Sequence, residues 1–257
     1  MQLRLPIYYL DRTKKNESIL HPFGDDVTAA VPTGHERMGF QNAHGISRGP
    51  HPADEVFEAS RKYHLGILGI AESNCAWDED LKIRIKASMK QQFGNGVMSC
   101  ASSKVRRHGY LPGGVMQLLH GQSAGRHVKS GADKYGRFTW MVLNGKNNNK
   151  LCVITAYRVC QAKGTTPNTP DSITAYWQQV QEMIKDGKID PDPRNQVLTD
   201  LSKLMREQKE AGCEIMLMMD ANDDWEESRS KLATFMEDNS LCDIHENTVL
   251  QLSPPPD

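Results

Sequence analysis

The stretch Leu65-Gly66-Ile67-Leu68-Gly69-Ile70-Ala71-Glu72 decides how this chain is read. Its nearly continuous apolar run is the pattern of a β-strand covered on both faces, because a strand with one wet face would alternate. The run then stops at a carboxylate. A second stretch repeats the design: Glu214-Ile215-Met216-Leu217-Met218-Met219 runs into Asp220-Ala221-Asn222-Asp223-Asp224. Working outward from the first run, Pro52 to Tyr63 reads as a helix, with Pro52 in its first turn and Asp54 and Glu55 at the positive end of its dipole. On the other side, Leu81, Ile85 and Met89 repeat at helical spacing, which predicts a helix over Leu81 to Phe93 that Gly94 ends.

Further along, Gly96 to Ser102, Gly114 to His120, Phe138 to Leu143 and Leu151 to Tyr157 read as strands without long helices between them. The run Asn144-Gly145-Lys146-Asn147-Asn148-Asn149 is a hairpin signal between the last two. Helices are expected over Ser172 to Lys185, Asn195 to Ala211 and Trp225 to Asp238, with an apolar strand from Glu214 to Met219. Helix–strand alternation at both ends, with antiparallel strands between, points to an α/β protein of the α+β type. The expected architecture is two stacked mixed sheets flanked by helices, a four-layer sandwich. Residues 1 to 37, rich in Pro and Gly and without a clear period, are expected to form a poorly ordered extension before a domain spanning 38 to 257.

Composition narrows the function. The chain has 257 residues, 38% hydrophobic and 25% charged, with a net charge of -1, so it is no strongly basic nucleic-acid binder of the histone kind. Local basic groups remain: Lys104, Arg106, Arg107, Arg126, His127 and Lys129 are candidates to face a nucleic-acid backbone, while Lys82, Arg84 and Lys86 read as a solvated helix face. The six cysteines are scattered and form no C-x-x-C pair, which argues against a zinc site and for a reduced, intracellular protein. The N-terminus has no apolar core of signal-peptide length, and no run reaches the ~18 apolar residues of a membrane span.

The chemistry is expected where apolar strands end in polar side chains, since sheets of this kind bind ligands at strand ends. Glu72 and Asp220 are such carboxylates, and a hard cation such as Mg²⁺ takes one or two carboxylates plus water and substrate phosphate. Thr155-Ala156-Tyr157-Arg158 ends a strand in hydrogen-bond donors suited to phosphate, and Phe40-Gln41-Asn42 is the weakest of the four. Each residue also has a plainer reading. Glu72 and Asp220 suit helix caps or wet loops, and Tyr157 suits strand-end packing.

In order along the chain, Gln41-Asn42-Ala43-His44-Gly45, Ile70-Ala71-Glu72, Gly113-Gly114-Val115-Met116, Thr155-Ala156-Tyr157 and Asp220-Ala221-Asn222 resemble the endonuclease/exonuclease/phosphatase superfamily, also described as pancreatic-deoxyribonuclease-like. Residues 133 to 158 look most like its retroelement-encoded type. The resemblance implies Mg²⁺- or Mn²⁺-dependent phosphodiester hydrolysis, with nucleic acid as substrate. It implies that Glu72 ligates the metal and Asn42 supports it. Tyr157 would hydrogen-bond the scissile phosphate, Asp220 would position or deprotonate the attacking water, Asn222 would orient phosphate, and Arg158 would bind substrate. The sequence departs from the family at Ala71, at Arg158-Val159-Cys160, at Met219, and in having no Asp-His dipeptide. The family ends on a Ser-Asp-His segment, so the domain is expected to be incomplete at its C-terminus and its activity impaired. His245, after a family-like strand at Leu241 to Ile244, reads as a surface residue. A non-catalytic remnant or binding module of the same fold, a phosphatase or lipid phosphodiesterase of the superfamily, and an unrelated α/β protein stay open at this point, as does the oligomeric state.

Overall fold

The computed structural model describes residues 31, 35–46, 53–103, 111–161, 174–223 and 230–243. Among the described residues the elements in order are β1 (Arg37–Asn42), α1 (Asp54–Lys62), β2 (Leu65–Ala71), α2 (Glu79–Phe93), β3 (Gly96–Ala101) and β4 (Val115–His120). After the short α3 (Gly121–Gly125) come β5 (His127–Ala132), β6 (Phe138–Asn144) and β7 (Lys150–Tyr157). The last described elements are α4 (Ala175–Lys185), α5 (Pro193–Glu210), β8 (Cys213–Asp220) and α6 (Lys231–Asp238). The strands form two four-stranded sheets, ordered β1-β2-β4-β3 and β5-β6-β7-β8.

Both sheets are mixed, as expected from the pattern. In each, one pair is parallel, β1 with β2 and β7 with β8, and the other pairs are antiparallel. A parallel pair needs a long crossover, which α1 supplies in the first sheet and α4 with α5 in the second. Parallel pairing also sets two strand ends side by side. Asn42 lies opposite Ala71, one residue before Glu72, and Tyr157 lies opposite Asp220.

The layers follow from side-chain alternation. Ile67 and Leu119 of one sheet meet Met141, Leu143, Val153 and Met218 of the other in an apolar seam between the sheets. Leu68, Ile70, Met116 and Leu118 point the other way, onto Phe57 of α1 and Ile85 and Met89 of α2. On the opposite outer face, Val142, Cys152 and Ile154 pack on Leu198, Leu201 and Met205 of α5 and Phe235 of α6. Gly69 lets the sheets close near the site: a Cβ there would lie 2.7 Å from Thr155 Oγ1 and 2.8 Å from Met218 Cε. The four-layer α/β sandwich expected from the sequence is therefore the observed one.

Several boundaries move. β1 begins at Arg37, one residue inside the expected extension, and Arg37 Nη1 donates to Tyr63 O at 3.0 Å. Residues 1–30 and 32–34 lie outside the described residues, as do Trp225 to Arg229 of the expected last helix, Lys104, Arg106, Arg107, Ile244 and His245. Leu241 to Asp243 form no strand. β5 and α3 were not expected. His-Val-Lys-Ser-Gly-Ala has no apolar alternation, because β5 is an edge strand whose middle residues face solvent. Of the basic candidates here, Arg126, just before β5, pairs through Nη2 with Glu36 at 2.5 Å, and Lys129 Nζ sits 5.5 Å from the Trp140 ring centroid. Among the described residues, no helix is long and apolar enough to cross a membrane.

Candidate active site

At the end of the sandwich where both parallel pairs terminate, the polar strand ends meet. Asn42 Nδ2 donates to Asp220 Oδ2 at 2.6 Å across 178 residues of sequence. The Tyr157 hydroxyl donates to Glu72 Oε1. Each sheet thus reaches across to the other, and both bonds pair a carboxylate with a group from the opposite parallel pair. The loop after β1 ties the two halves together. The His44 backbone N–H donates to Asn42 Oδ1 at 2.9 Å, and His44 Nδ1 lies 3.2 Å from Glu72 Oε2.

The Glu72 backbone is held from both sides. Gly45 N donates to Glu72 O at 2.8 Å and Ile46 N to Ser73 O at 2.9 Å. Opposite, Ser73 N donates to Gly114 O at 3.1 Å, Asn74 N to Gly113 O at 2.8 Å, and Gly113 N to Asn74 Oδ1 at 2.7 Å. His44, Glu72, Asn74 and Asn222 all take positive φ, between 46° and 50°, a region L side chains rarely adopt. Such strain persists only where neighbours over-determine it, and it concentrates at functional sites.

Gly113 and Gly114, with φ of 83° and 81°, carry the other half of this clamp. A Cβ on Gly114 would lie 2.7 Å from Ser73 Oγ and 3.1 Å from Ala101 O. Gly114→Ala is therefore expected to cost about 1–3 kcal/mol of stability from the backbone conformation alone. It should also loosen the Glu72 loop. Denaturant unfolding checks the first effect, and amide-exchange protection of Ser73 and Asn74 the second.

Electrostatically the site is negative. The Cys160 thiol beside it is pushed up, first by desolvation and then by Glu72 and Asp220, so it stays protonated. The Tyr157 phenol is raised far above its ordinary value by burial and by Glu72, so it acts as a donor at any working pH.

The structure gathers Asn42, Glu72, Tyr157, Asp220 and Asn222 in one place. Two of the expected contacts are not the ones the geometry offers. Asn222 Nδ2 donates to Arg158 O at 2.8 Å and its Oδ1 accepts from Cys160 Sγ at 3.1 Å, so its amide is turned into the loop; its backbone N–H reaches Asp220 Oδ1 at 3.3 Å. Arg158 does not present its guanidinium to a phosphate at this site. It is 3% exposed, donates to Arg194 O at 3.0 Å and Ala221 O at 3.3 Å, and pairs with Asp223. An arginine that follows a buried strand is drawn inward when carbonyls and a carboxylate can satisfy its donors. Here it braces the loop that carries Asp220.

Sequence reasoning passed over His44, Asn74, Cys160 and Arg194. His44 stood inside the Gln41 to Gly45 segment and Asn74 two residues past Glu72, both readable as loop polars next to a candidate. Arg194, at the start of a helix 28 residues before Asn222, left no local signal. It holds the loop by donating to Asn222 O at 3.1 Å and Val159 O at 2.5 Å.

The donor set suits a hard divalent cation. The side-chain acceptors on Glu72 and Asn42 are oxygens, and Mg²⁺ takes one or two carboxylates when water and substrate phosphate complete its shell. Among the described residues, no group of three or more His, Cys, Asp and Glu side chains is arranged to hold a metal, which leaves no all-protein cage of the zinc kind.

No protein-family model matches the chain, and no curated protein does. Solved structures do. The human Nocturnin catalytic domain with bound sulfate aligns at TM-score 0.44 and 14% identity, covering 78% of this chain and 67% of that one. ANGEL2, a 2',3'-cyclic phosphatase, aligns at TM-score 0.41 and 13% identity over 77% of this chain, which spans 50% of its length. An endonuclease/exonuclease/phosphatase family protein from Leptotrichia buccalis is similar at TM-score 0.39 and 10% identity, with 80% and 74% of the two chains covered.

Proposed function

We propose that this chain is a phosphoester hydrolase domain of the endonuclease/exonuclease/phosphatase type, dependent on Mg²⁺ or Mn²⁺ and acting on nucleic acid. The observation that carries the reading is the crossed pair of hydrogen bonds, Asn42 to Asp220 and Tyr157 to Glu72, which joins four strand ends from two sheets. A structural role for any one of these residues would not require all four to converge.

In this reading Glu72, with Asn42 beside it, holds the divalent ion, which when bound supplies charge to a phosphoryl oxygen. Asp220 keeps lone pairs beyond those taken by Asn42 and Asn222, and those accept the proton of an attacking water. Tyr157, fixed as a donor by burial, serves the phosphate oxygens once substrate competes for its proton. His44 is the imidazole of the described site and orients Glu72. Arg158 and Arg194 hold the 220–223 loop so that Asp220 keeps its position.

A phosphoester panel with and without Mg²⁺ tests this: a single-stranded oligonucleotide, supercoiled plasmid, a terminal phosphomonoester and a lipid phosphodiester. Metal-dependent cleavage of the internal nucleic-acid bond supports the proposal. Turnover confined to monoester or lipid moves the chain to the phosphatase or lipid branch, and no metal-dependent turnover on any substrate leaves a non-catalytic domain of this fold.

A further inference from the structure

We propose that Gln117 and Thr155 form an internal water site between the two sheets, and that this polar layer fixes how the sheets align beneath the candidate active site. The residues lie in one row across each sheet. In the first, Phe40 pairs with Gly69, Gly69 with Gln117, and Gln117 with Ser99. In the second, Met218 pairs with Thr155 and Thr155 with Thr139. The rows meet at two points. A hydrogen bond joins Ser99 Oγ and Thr139 Oγ1, and a Cβ on Gly69 would lie 2.7 Å from Thr155 Oγ1. Gln117 stands between those two crossings. Cross-strand neighbours have Cβ atoms about 4.5–5.5 Å apart, so its amide comes within water-bridging reach of the Thr155 hydroxyl.

Bulk solvent does not serve these groups, because Gln117, Thr139 and Thr155 are 0% exposed. Thr139 is satisfied, donating to Gly131 O at 2.9 Å and meeting Ser99. The other two are not. Among the described residues, neither amide atom of Gln117 has a hydrogen-bond partner, and neither does Thr155 Oγ1. An unpaired buried amide is disfavoured relative to an apolar side chain of similar size, so Gln117 suits this seam only where a further partner reaches it. An amide donor, an amide carbonyl and a hydroxyl converge here. A water molecule making two to four hydrogen bonds serves all three.

The layers on either side are apolar. Ile67, Leu119, Met141 and Val153 lie below, and Ala71, Ala101, Val115 and Tyr157 above. Apolar packing is non-directional, so two such surfaces admit several alignments of similar energy. A bridged polar layer admits one, since its hydrogen bonds are lost when the sheets slide.

Thr155 lies two residues before Tyr157, and Gly69 three before Glu72. The polar layer therefore sits one side-chain layer beneath the Tyr157–Glu72 bond, where sheet alignment decides whether the strand ends meet. Gln117 is in this sense a positioning residue, acting through the sheets on Asn42, Glu72, Tyr157 and Asp220. Its service to a metal-binding geometry rests on the proposed hydrolase reading; the water site does not.

The test uses the full chain in solution, with thermal melting as the fold control. Water-selective NMR of the parent is expected to show a cross-peak between a long-lived water and the Gln117 side-chain amide; its absence overturns the water site. Gln117→Met keeps the volume and removes the amide. The Asn42 side-chain amide, which donates to Asp220 across the sheets, should then move toward the free-amide chemical shift, and Mn²⁺ affinity should fall by about tenfold or more. Thr155→Val should lose the water cross-peak and move Asn42 likewise, and it decides the question if Gln117→Met does not fold. Leu119→Met, one layer below, should leave the Asn42 signal in place. An unmoved Asn42 signal in a folded Gln117→Met or Thr155→Val chain overturns the positioning role, and so does an equal movement in Leu119→Met. A parent that binds no Mn²⁺ sinks the hydrolase reading alone, because the Asn42 signal is read without metal.

Discussion

Glu72→Ala is expected to lower metal-dependent hydrolysis by at least about 10²–10³-fold while leaving the fold intact. The carboxylate accepts from Tyr157 through Oε1 and faces His44 through Oε2, so its removal takes away the oxygen proposed to hold the metal and releases two other side chains. Removing one preorganised electrostatic group commonly costs that much in rate. Folding should suffer little. The segment is held by backbone bonds from Gly45, Ile46, Gly113 and Gly114, none of which uses the Glu72 side chain. Asp220→Asn keeps the shape that meets Asn42 but loses the charge and the proton acceptor, and a loss of similar size is expected. Combining the two should cost far less than the product of the single effects, because groups acting as a unit are not additive. Comparing kcat for the parent, single and double variants checks this, with circular dichroism melts beside it. A Glu72→Ala chain that turns over at the parent rate would place the chemistry elsewhere.

The largest stability effect is expected at Arg137. It is 1% exposed, yet fully engaged on one side: Nε donates to Asp133 Oδ2 at 2.7 Å, Nη2 to Asp133 Oδ1 at 2.9 Å and to Asp200 Oδ2 at 2.6 Å. The guanidinium lies 4.8 Å from the Tyr135 ring centroid and 5.8 Å from that of Phe138. Arg137→Met keeps much of the volume but leaves Asp133 with its charge buried. Breaking a buried pair in this way typically costs about 3–5 kcal/mol. Adding Asp133→Asn should recover part of the loss, since the leftover charge goes while the side-chain oxygen still accepts from Tyr135 N and Arg137 N. Urea unfolding of the parent, single and double variants measures both. The site should feel it too, because Arg137 O accepts from Tyr157 N at 2.8 Å.

The sequence made the buried strands legible because burial on both faces leaves a continuous apolar run. β2 matches the expected Leu65 to Ala71 residue for residue, and β8 extends the expected strand by one residue at each end. β5 was not legible: as an edge strand it owes its shape to pairing with β6, and its solvent-facing Val128, Lys129 and Ser130 carry no period. Glu72 and Asp220 stood out because a carboxylate directly after an apolar run is a local signal. That they share a site is not local, since it follows from two parallel pairs ending at the same face. The placement of Arg158 was not legible for the same reason. Its chemistry suits phosphate, but Asp223 and the carbonyls of Ala221 and Arg194 claim it, and those partners lie 36 to 65 residues away.

The paired strand ends are proposed to form a divalent-metal site built on Glu72. Titrating the purified chain with Mn²⁺ and following free ion by electron paramagnetic resonance tests it without any assumption about substrate. One saturable Mn²⁺ site that Mg²⁺ displaces is expected, lost in Glu72→Ala and weakened in Asn42→Ala. A chain that takes up no Mn²⁺ at millimolar concentration, or that binds it equally well after Glu72→Ala, would contradict it.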